Sequence, residues 1–385
     1  MTESVYLSEL VDIYLGLTHT PEYVLDGVPF LSVKNISSGT IDFSQCNYIT
    51  EEEYNSLPNG AKPQCGDMLF CRVGTIGKPV IIEENTPRFG SFVSLGFFRV
   101  KDNNLCKLKY LYYWMYSESF YSQVRRNVKG ASQVNLNTGW LKNFRLPLYS
   151  LATQAEIVQK LEEVDRLMTL RKEQLSKMDE LVKSRFIELF GDYDLSHPQE
   201  SWVAIKEIGT VVGGATPKTD RDEYWGGSFR WITPAELEAD SGYIYDSVRK
   251  LTKAGVESCS LQEMPVGTVI LSSRAPIGKV AIAGNTFYCN QGFKNIICKE
   301  GITPRYLYTV LLLNVEYLNS LGRGATFKEI SKGIVENIRI PVPATDLQEQ
   351  FAAFVEQTDK SKLAIQESLA ELETLKKALM QKYFG

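Results

Sequence analysis

The chain repeats itself once. KGASQVNLNTGWLKNFRLPL (129–148) lines up with RGATFKEISKGIVENIRIPV (323–342), so that Gly130 meets Gly324, Pro147 meets Pro341 and Gln154 meets Gln348 at a constant offset of 194. Phe190-Gly191 meets Phe384-Gly385 at the same offset. Upstream, Gly16 and Thr18 meet Gly214 and Thr216 at 198, and Phe30-Leu31-Ser32 and Ile76-Gly77-Lys78 meet Trp231-Ile232-Thr233 and Ile277-Gly278-Lys279 at 201. A period of half the chain is too long for a solenoid repeat. It implies a duplicated unit, and 385 residues are in any case too many for one ordinary core.

Each unit reads as a globular part followed by a helix. Short β-rich runs punctuated by Gly and Pro, such as Met68–Cys71 and Pro79–Ile82, recur as Val269–Ser272 and Lys279–Ala283. A helix is predicted over Leu108–Asn127 and again over Pro304–Leu321. Thr153–Phe190 and Leu347–Phe384 contain neither Pro nor Gly and are rich in Glu, Lys, Leu and Gln, so each predicts one long helix. Leu161, Val164, Met168, Leu175, Met178 and Val182 fall on 3-4 spacing, as do most of Val355, Ile365, Leu369, Leu372 and Leu379. That is a coiled-coil seam, interrupted by Arg171 and Lys362. The segmentation expected is 1–150 and 192–344 for the two domains, with 151–191 and 345–385 for the helices. The fold class is α+β: two similar domains joined by two long antiparallel helices, with pseudo-twofold symmetry.

Composition narrows the function. No apolar run reaches the roughly 20 residues of a membrane span, and Met1–Leu10 shows no secretory leader pattern. Seven unpatterned cysteines fit a reducing cytoplasm. The two histidines, His19 and His197, form no ligand cluster, so neither a metal site nor a His-based catalytic centre is expected. GxxxxGK[ST] is absent, because Pro79 and Val280 follow the two Ile-Gly-Lys lysines. Gly322-Arg323-Gly324 lacks the third glycine of a dinucleotide fingerprint. No Asn-Pro-Pro-aromatic run of an adenine methyltransferase is present, and Cys71 and Cys106 lack a nearby histidine in sequence. The net charge is −4, and no segment is basic: residues 1–150 carry 14 basic and 14 acidic groups, and 192–344 carry 16 and 17. A nucleic-acid partner would therefore have to be met by local patches, or together with a basic partner.

The second domain carries an ordered series: Gly213-Gly214-Ala215-Thr216-Pro217, Glu223-Tyr224-Trp225-Gly226-Gly227, Trp231-Ile232-Thr233-Pro234, Ser273-Arg274-Ala275-Pro276-Ile277-Gly278-Lys279, Asn290-Gln291-Gly292-Phe293-Lys294 and Gly324-Ala325-Thr326-Phe327-Lys328-Glu329-Ile330. With the domain–helix–domain–helix plan, it resembles the specificity subunits of type I restriction–modification systems over essentially the whole chain. The first domain departs from the series, keeping Arg72, Ile76-Gly77-Lys78 and Gly130-Ala131-Ser132 but not the Tyr-Trp-Gly-Gly text. The resemblance implies a non-catalytic subunit reading a bipartite, asymmetric target in double-stranded DNA. It implies two modification subunits and further restriction subunits as partners. S-adenosylmethionine, ATP and Mg would belong to those partners, with no cofactor in this chain. A coiled-coil scaffold without DNA specificity is the alternative, and a divergent methyltransferase a more remote one.

The residues themselves suggest where DNA would be met. Glycine turns let a backbone approach phosphate. Arg274 and Lys279 flank one such turn, and Arg72 and Lys78 flank its counterpart. Gln291 and Lys294 share a Gly-containing loop, and amides and ammonium groups suit base edges and phosphates. Arg125, Arg126 and Lys129 form the densest basic cluster of the first domain, and Arg323 and Lys328 bracket the matching loop of the second. Ser132, Thr216, Lys218 and Thr326 complete the set. Each of these could equally be a solvated charge or a structural turn residue, as could Lys34 and Arg230. Tyr224, Trp225 and Trp231 are expected to serve core and turn packing rather than base stacking.

Overall fold

In the computed structural model, residues 3–127, 135–237, 242–324 and 328–385 are described. Lys129, Ser132 and Thr326 lie outside them. The chain divides into two compact units: residues up to Glu173 with Ile365–Gly385, and Gln174–Ala364. Each unit therefore holds one globular domain and about half of each long helix.

In the first unit an antiparallel sheet runs in the order Val11–Leu15, Leu95–Val100, Met68–Cys71, Gly77–Ile81. A smaller sheet orders Asn47–Ile49, Val28–Leu31 and Gly90–Ser91. The second unit repeats the main sheet as Gly209–Val212, Asn295–Cys298, Val269–Ser273, Ile277–Ala283, and adds a fifth strand, Tyr243–Ile244, parallel to the last. Its smaller sheet orders Arg249–Leu251, Trp225–Ile232 and Tyr288–Cys289. The registers coincide in detail. Leu69 faces Val80 and Cys71 faces Gly77, with a shift between them; Leu271 faces Val280 and Ser273 faces Ile277, with the same shift.

The helix predicted over Leu108–Asn127 is two, Leu108–Met115 and Glu118–Asn127. Ser117 breaks it: its hydroxyl donates to Trp114 O at 2.6 Å and accepts from Phe120 N at 3.2 Å, which starts a new helix. Asn314 marks the matching break between Pro304–Leu313 and Val315–Ser320 without capping the second helix: its amide donates to Val310 O and its side-chain carbonyl accepts from Leu195 N.

The long helices are Leu151–Phe190 and Thr345–Phe384, 40 residues each. The same two contacts anchor each one to its domain. Buried Gln154 donates to Leu105 O and Tyr149 O and accepts from Lys107 N; buried Gln348 donates to Gly301 O and Pro343 O and accepts from Thr303 N. Tyr110 OH donates to Pro147 O, and Tyr306 OH to Pro341 O. The opposite helix end closes each core. Phe384 packs on Tyr110 in the first unit, and Phe190 packs on Tyr306 and Phe351 in the second. Burying one such ring contributes about 1.5–3 kcal/mol.

Within each unit the half-helices pack antiparallel. In the first, Lys376 pairs with Asp165 and Arg171 Nε donates to Ser368 Oγ at 3.2 Å. In the second, Lys362 pairs with Asp179. The residues read as interruptions of the apolar seam, Arg171 and Lys362, thus make the cross-helix polar contacts that fix its register. Among the described residues no helix is long and apolar enough to cross a membrane.

Candidate nucleic-acid interface

The motif segments of the second domain, far apart in sequence, converge at the end of strand Val269–Ser273. Ser273 N donates to Gly292 O at 2.8 Å, Lys294 N to Leu271 O at 2.9 Å and Ile330 N to Ser273 O at 3.0 Å. Arg323 and Glu329 exchange backbone hydrogen bonds at 3.1 and 3.0 Å, an antiparallel bridge beside them. Gly214 lies where a Cβ would strike the carbonyl oxygens of Cys289 and Asn290, which is why glycine is required there. The next residue continues that contact, Ala215 N donating to Cys289 O at 3.0 Å.

Side chains decorate this frame unevenly. Thr216 Oγ1 donates to Gln291 Oε1 at 2.6 Å, and both residues are exposed. Glu329 accepts from Lys294 Nζ at 3.1 Å and lies 3.7 Å from the Arg274 guanidinium. Lys294 also reaches Ser273 Oγ at 3.3 Å. Arg323 and Lys328 are exposed, and their side chains meet no partner among the described residues. Lys218 is exposed too; its carbonyl accepts from Trp225 Nε1 at 3.2 Å.

Lys279 does not belong to this surface. Its ammonium donates to Pro234 O at 3.0 Å and to Leu237 O, holding the turn after Trp231-Ile232-Thr233. Trp231 is 2% exposed and donates to Ala215 O at 3.1 Å, so it packs rather than presents a stacking face. Arg249, which no motif singled out, lies 3.5 Å over the Trp225 ring.

The first domain solves the same junction differently. At the offset of 201, Arg72 falls on Ser273, not on Arg274. The backbone agrees: Arg72 N donates to Ser94 O at 3.0 Å, and Leu136 N to Arg72 O at 2.9 Å. Its guanidinium turns inward, donating to Leu136 O at 2.9 Å and Val93 O at 2.7 Å, and is 8% exposed. Val93 O is the counterpart of Gln291 O, which Lys294 Nζ approaches at 3.5 Å. One cation therefore braces each junction, sent from the strand end in one domain and from the loop in the other. Lysine could not stand at Gly96, the counterpart of Lys294, because a Cβ there would collide with the Phe70 ring. Lys78 is half-buried with φ 48°, Arg125 pairs with Glu118, and Arg126 is exposed.

Burial pushes the Cys71 thiol up to about 11 and the Cys106 and Cys289 thiols up to about 12, far from the thiolate a nucleophile needs. Among the described residues no three His, Cys, Asp or Glu side chains are grouped to hold a metal ion.

The model of the type I restriction modification DNA specificity domain matches twice, over residues 20–178 and 200–375. The chain belongs to that family. Each match covers one globular domain and much of the following helix, so a coiled-coil scaffold lacking a specificity domain is not favoured. This specificity chain is 42% identical over 185 residues to the type I restriction enzyme MjaIX specificity subunit of Methanocaldococcus jannaschii, a match covering 46% of the chain and 43% of that relative. It is 23% identical over 387 residues to the putative MjaX specificity subunit of the same organism, covering 95% of the chain and 88% of the relative. The fold matches a chain solved in work on assembly and conformational transition of a type I restriction–modification system, with TM-score 0.66, 18% identity and 99% and 97% coverage. A crystal structure of a type I S subunit from M. genitalium matches with TM-score 0.58 and 14% identity, covering 100% of this chain and 96% of that one.

Proposed function

We propose that each domain reads one half of a bipartite, asymmetric target in double-stranded DNA. The supporting observation is the convergence of Thr216, Gln291, Arg274, Lys294, Arg323 and Lys328 on one edge of the second domain. That edge joins exposed amide and hydroxyl groups, suited to base edges, with cations suited to phosphate. The first domain presents the homologous junction with different side chains, which makes the two half-sites different. In this reading the chain is a cytoplasmic, non-catalytic subunit. It recruits two modification subunits that bring S-adenosylmethionine, and restriction subunits that bring ATP and Mg. With no basic excess of its own, the isolated chain binds DNA weakly until a modification subunit joins.

The test is replacement of residues 201–344 by another domain of the family, followed by methylation mapping in cells carrying the partner subunits. One half of the methylated sequence should change and the other stay. A change in both halves, or in neither, would overturn the reading.

A further inference from the structure

The two main sheets differ at one edge. In the second unit Tyr243–Ile244 pairs parallel with Ile282 and Ala283; Ile282 N donates to Gly242 O at 2.7 Å and Gly284 N to Ile244 O at 2.8 Å. The Tyr243 ring covers the Arg305 guanidinium at 4.8 Å, and Arg305 is buried against Asp359 at 2.9 Å. In the first unit the register positions of Ile282 and Gly284 are Ile81 and Glu83, but Gly77–Ile81 is the outermost strand of its sheet. The corresponding stretch before Asn47–Ile49 lies beside this edge without pairing with it. Asp42 N donates to Asn35 O at 2.8 Å, and the Phe43 ring packs on Phe89.

What this leaves is an open pocket of about 910 Å³ between Gly39–Phe43, Val80–Pro87 and the helices carrying Tyr112 and Asp165. Lys109, the counterpart of Arg305, stays exposed at its wall, paired with Glu162. Glu162 is paired with Lys109 and Asp165 with Lys376, so the acidic balance of the rim rests on Glu83 and Glu84, which pair with no cation among the described residues.

We propose that this pocket takes an extended, lysine- or arginine-bearing segment of a partner protein, with an aromatic residue at its centre. The segment adds as a short parallel strand to Ile81–Glu83, completing in trans the sheet that Tyr243–Ile244 completes in the second unit. The aromatic ring lies over Lys109 as Tyr243 lies over Arg305, and the flanking cations meet Glu83 and Glu84. Pro79 has no N–H to donate, so the added strand stays two or three residues long, as in the second unit. Glu83 N, which donates to Thr86 Oγ1 at 3.2 Å, exchanges that bond for the incoming carbonyl.

The probe is a synthetic peptide with a Gly-Tyr-Ile-Tyr centre flanked by lysines, titrated into the full chain by calorimetry and compared with the same centre flanked by glutamates. The lysine peptide should bind with one-to-one stoichiometry and at least tenfold more tightly. The E83K/E84K double variant changes two exposed side chains that hold no ion pair among the described residues, so folding is spared; it should reverse the preference. Ile81→Pro should abolish binding with its far-ultraviolet dichroism unchanged. The proposal fails if the lysine peptide shows no saturable binding, or if binding ignores both the charge reversal and the edge proline. It fails equally if sedimentation shows the chain pairing with itself through this edge, since the occupant is then a second copy. None of these outcomes depends on DNA, so each is separable from the failure of the DNA reading.

Discussion

The two domains share a backbone and differ in how they hold it. At the strand-end junction the first uses Arg72, buried and bonded to two carbonyls; the second uses Lys294, drawn toward Glu329 together with Arg274. The first bracing cation is spent entirely on the fold. The second shares its charge with a surface carboxylate 38% exposed. One junction is thus braced by a cation bonded to neutral carbonyls, the other by cations that share a carboxylate.

The largest effect should follow from breaking the carbonyl-bonded junction. Arg72→Ala leaves Leu136 O and Val93 O without their donor, and unsatisfied buried groups cost about 1–3 kcal/mol each. The first unit should lose about 3 kcal/mol of stability or more in chemical denaturation. Arg72→Lys recovers only part, because one ammonium cannot reproduce the two-armed geometry of the guanidinium. Lys294→Ala removes a single cation from a partly exposed site and should cost less than half as much. Equal losses in the two variants would erase the distinction between the junctions.

Much of this was legible before the fold was known. The constant offset of 194 marked both long helices and aligned Gln154 with Gln348, whose hydrogen bonds to backbone groups match one for one. The motif series marked segments that meet at the end of strand Val269–Ser273. Side-chain direction was not legible. Arg72 and Lys279 look like surface cations because each flanks a glycine turn, yet both point at backbone carbonyls that only the folded chain brings near. For Arg72 the alignment did hold a signal, since the offset sets it on Ser273 rather than on Arg274. Glu329 escaped attention because one carboxylate in a loop has no pattern; its meaning comes from two cations that arrive from other strands. The open edge beside Ile81 was equally hidden, since a missing strand leaves no mark in the residues that would have paired with it.

An intermediate effect tests the carboxylate-sharing junction. Glu329 pairs with Arg274 and Lys294, and in the proposed DNA reading this withholds them from phosphate. Glu329→Gln keeps the shape and removes one negative charge. In the complex assembled with modification subunits, DNA affinity should rise several-fold at 0.15 M salt, and the salt slope should steepen by about one unit. Binding to unrelated DNA should gain as much as binding to the target, because a freed cation reads phosphate and not sequence. Weaker binding would mean instead that Glu329 accepts a hydrogen bond from a base.

The smallest effects belong to the cations that are already free. Lys328 and Arg323 are exposed and hold no ion pair among the described residues, so removing either costs the fold little. Lys328→Ala should flatten the salt slope of the assembled complex by about one unit and weaken binding a few-fold, equally on target and unrelated DNA. Lys279→Ala is the internal control. It should leave the slope unchanged while lowering stability by about 1.5–3 kcal/mol, the usual worth of a hydrogen bond to a charged group. Combining Lys328→Ala with Glu329→Gln removes one cation and frees another, so the slope should return to that of the unaltered protein. A double variant that keeps the flattened slope would show that Glu329 neutralises Lys294 and Arg274 only within the fold, and that neither faces the DNA.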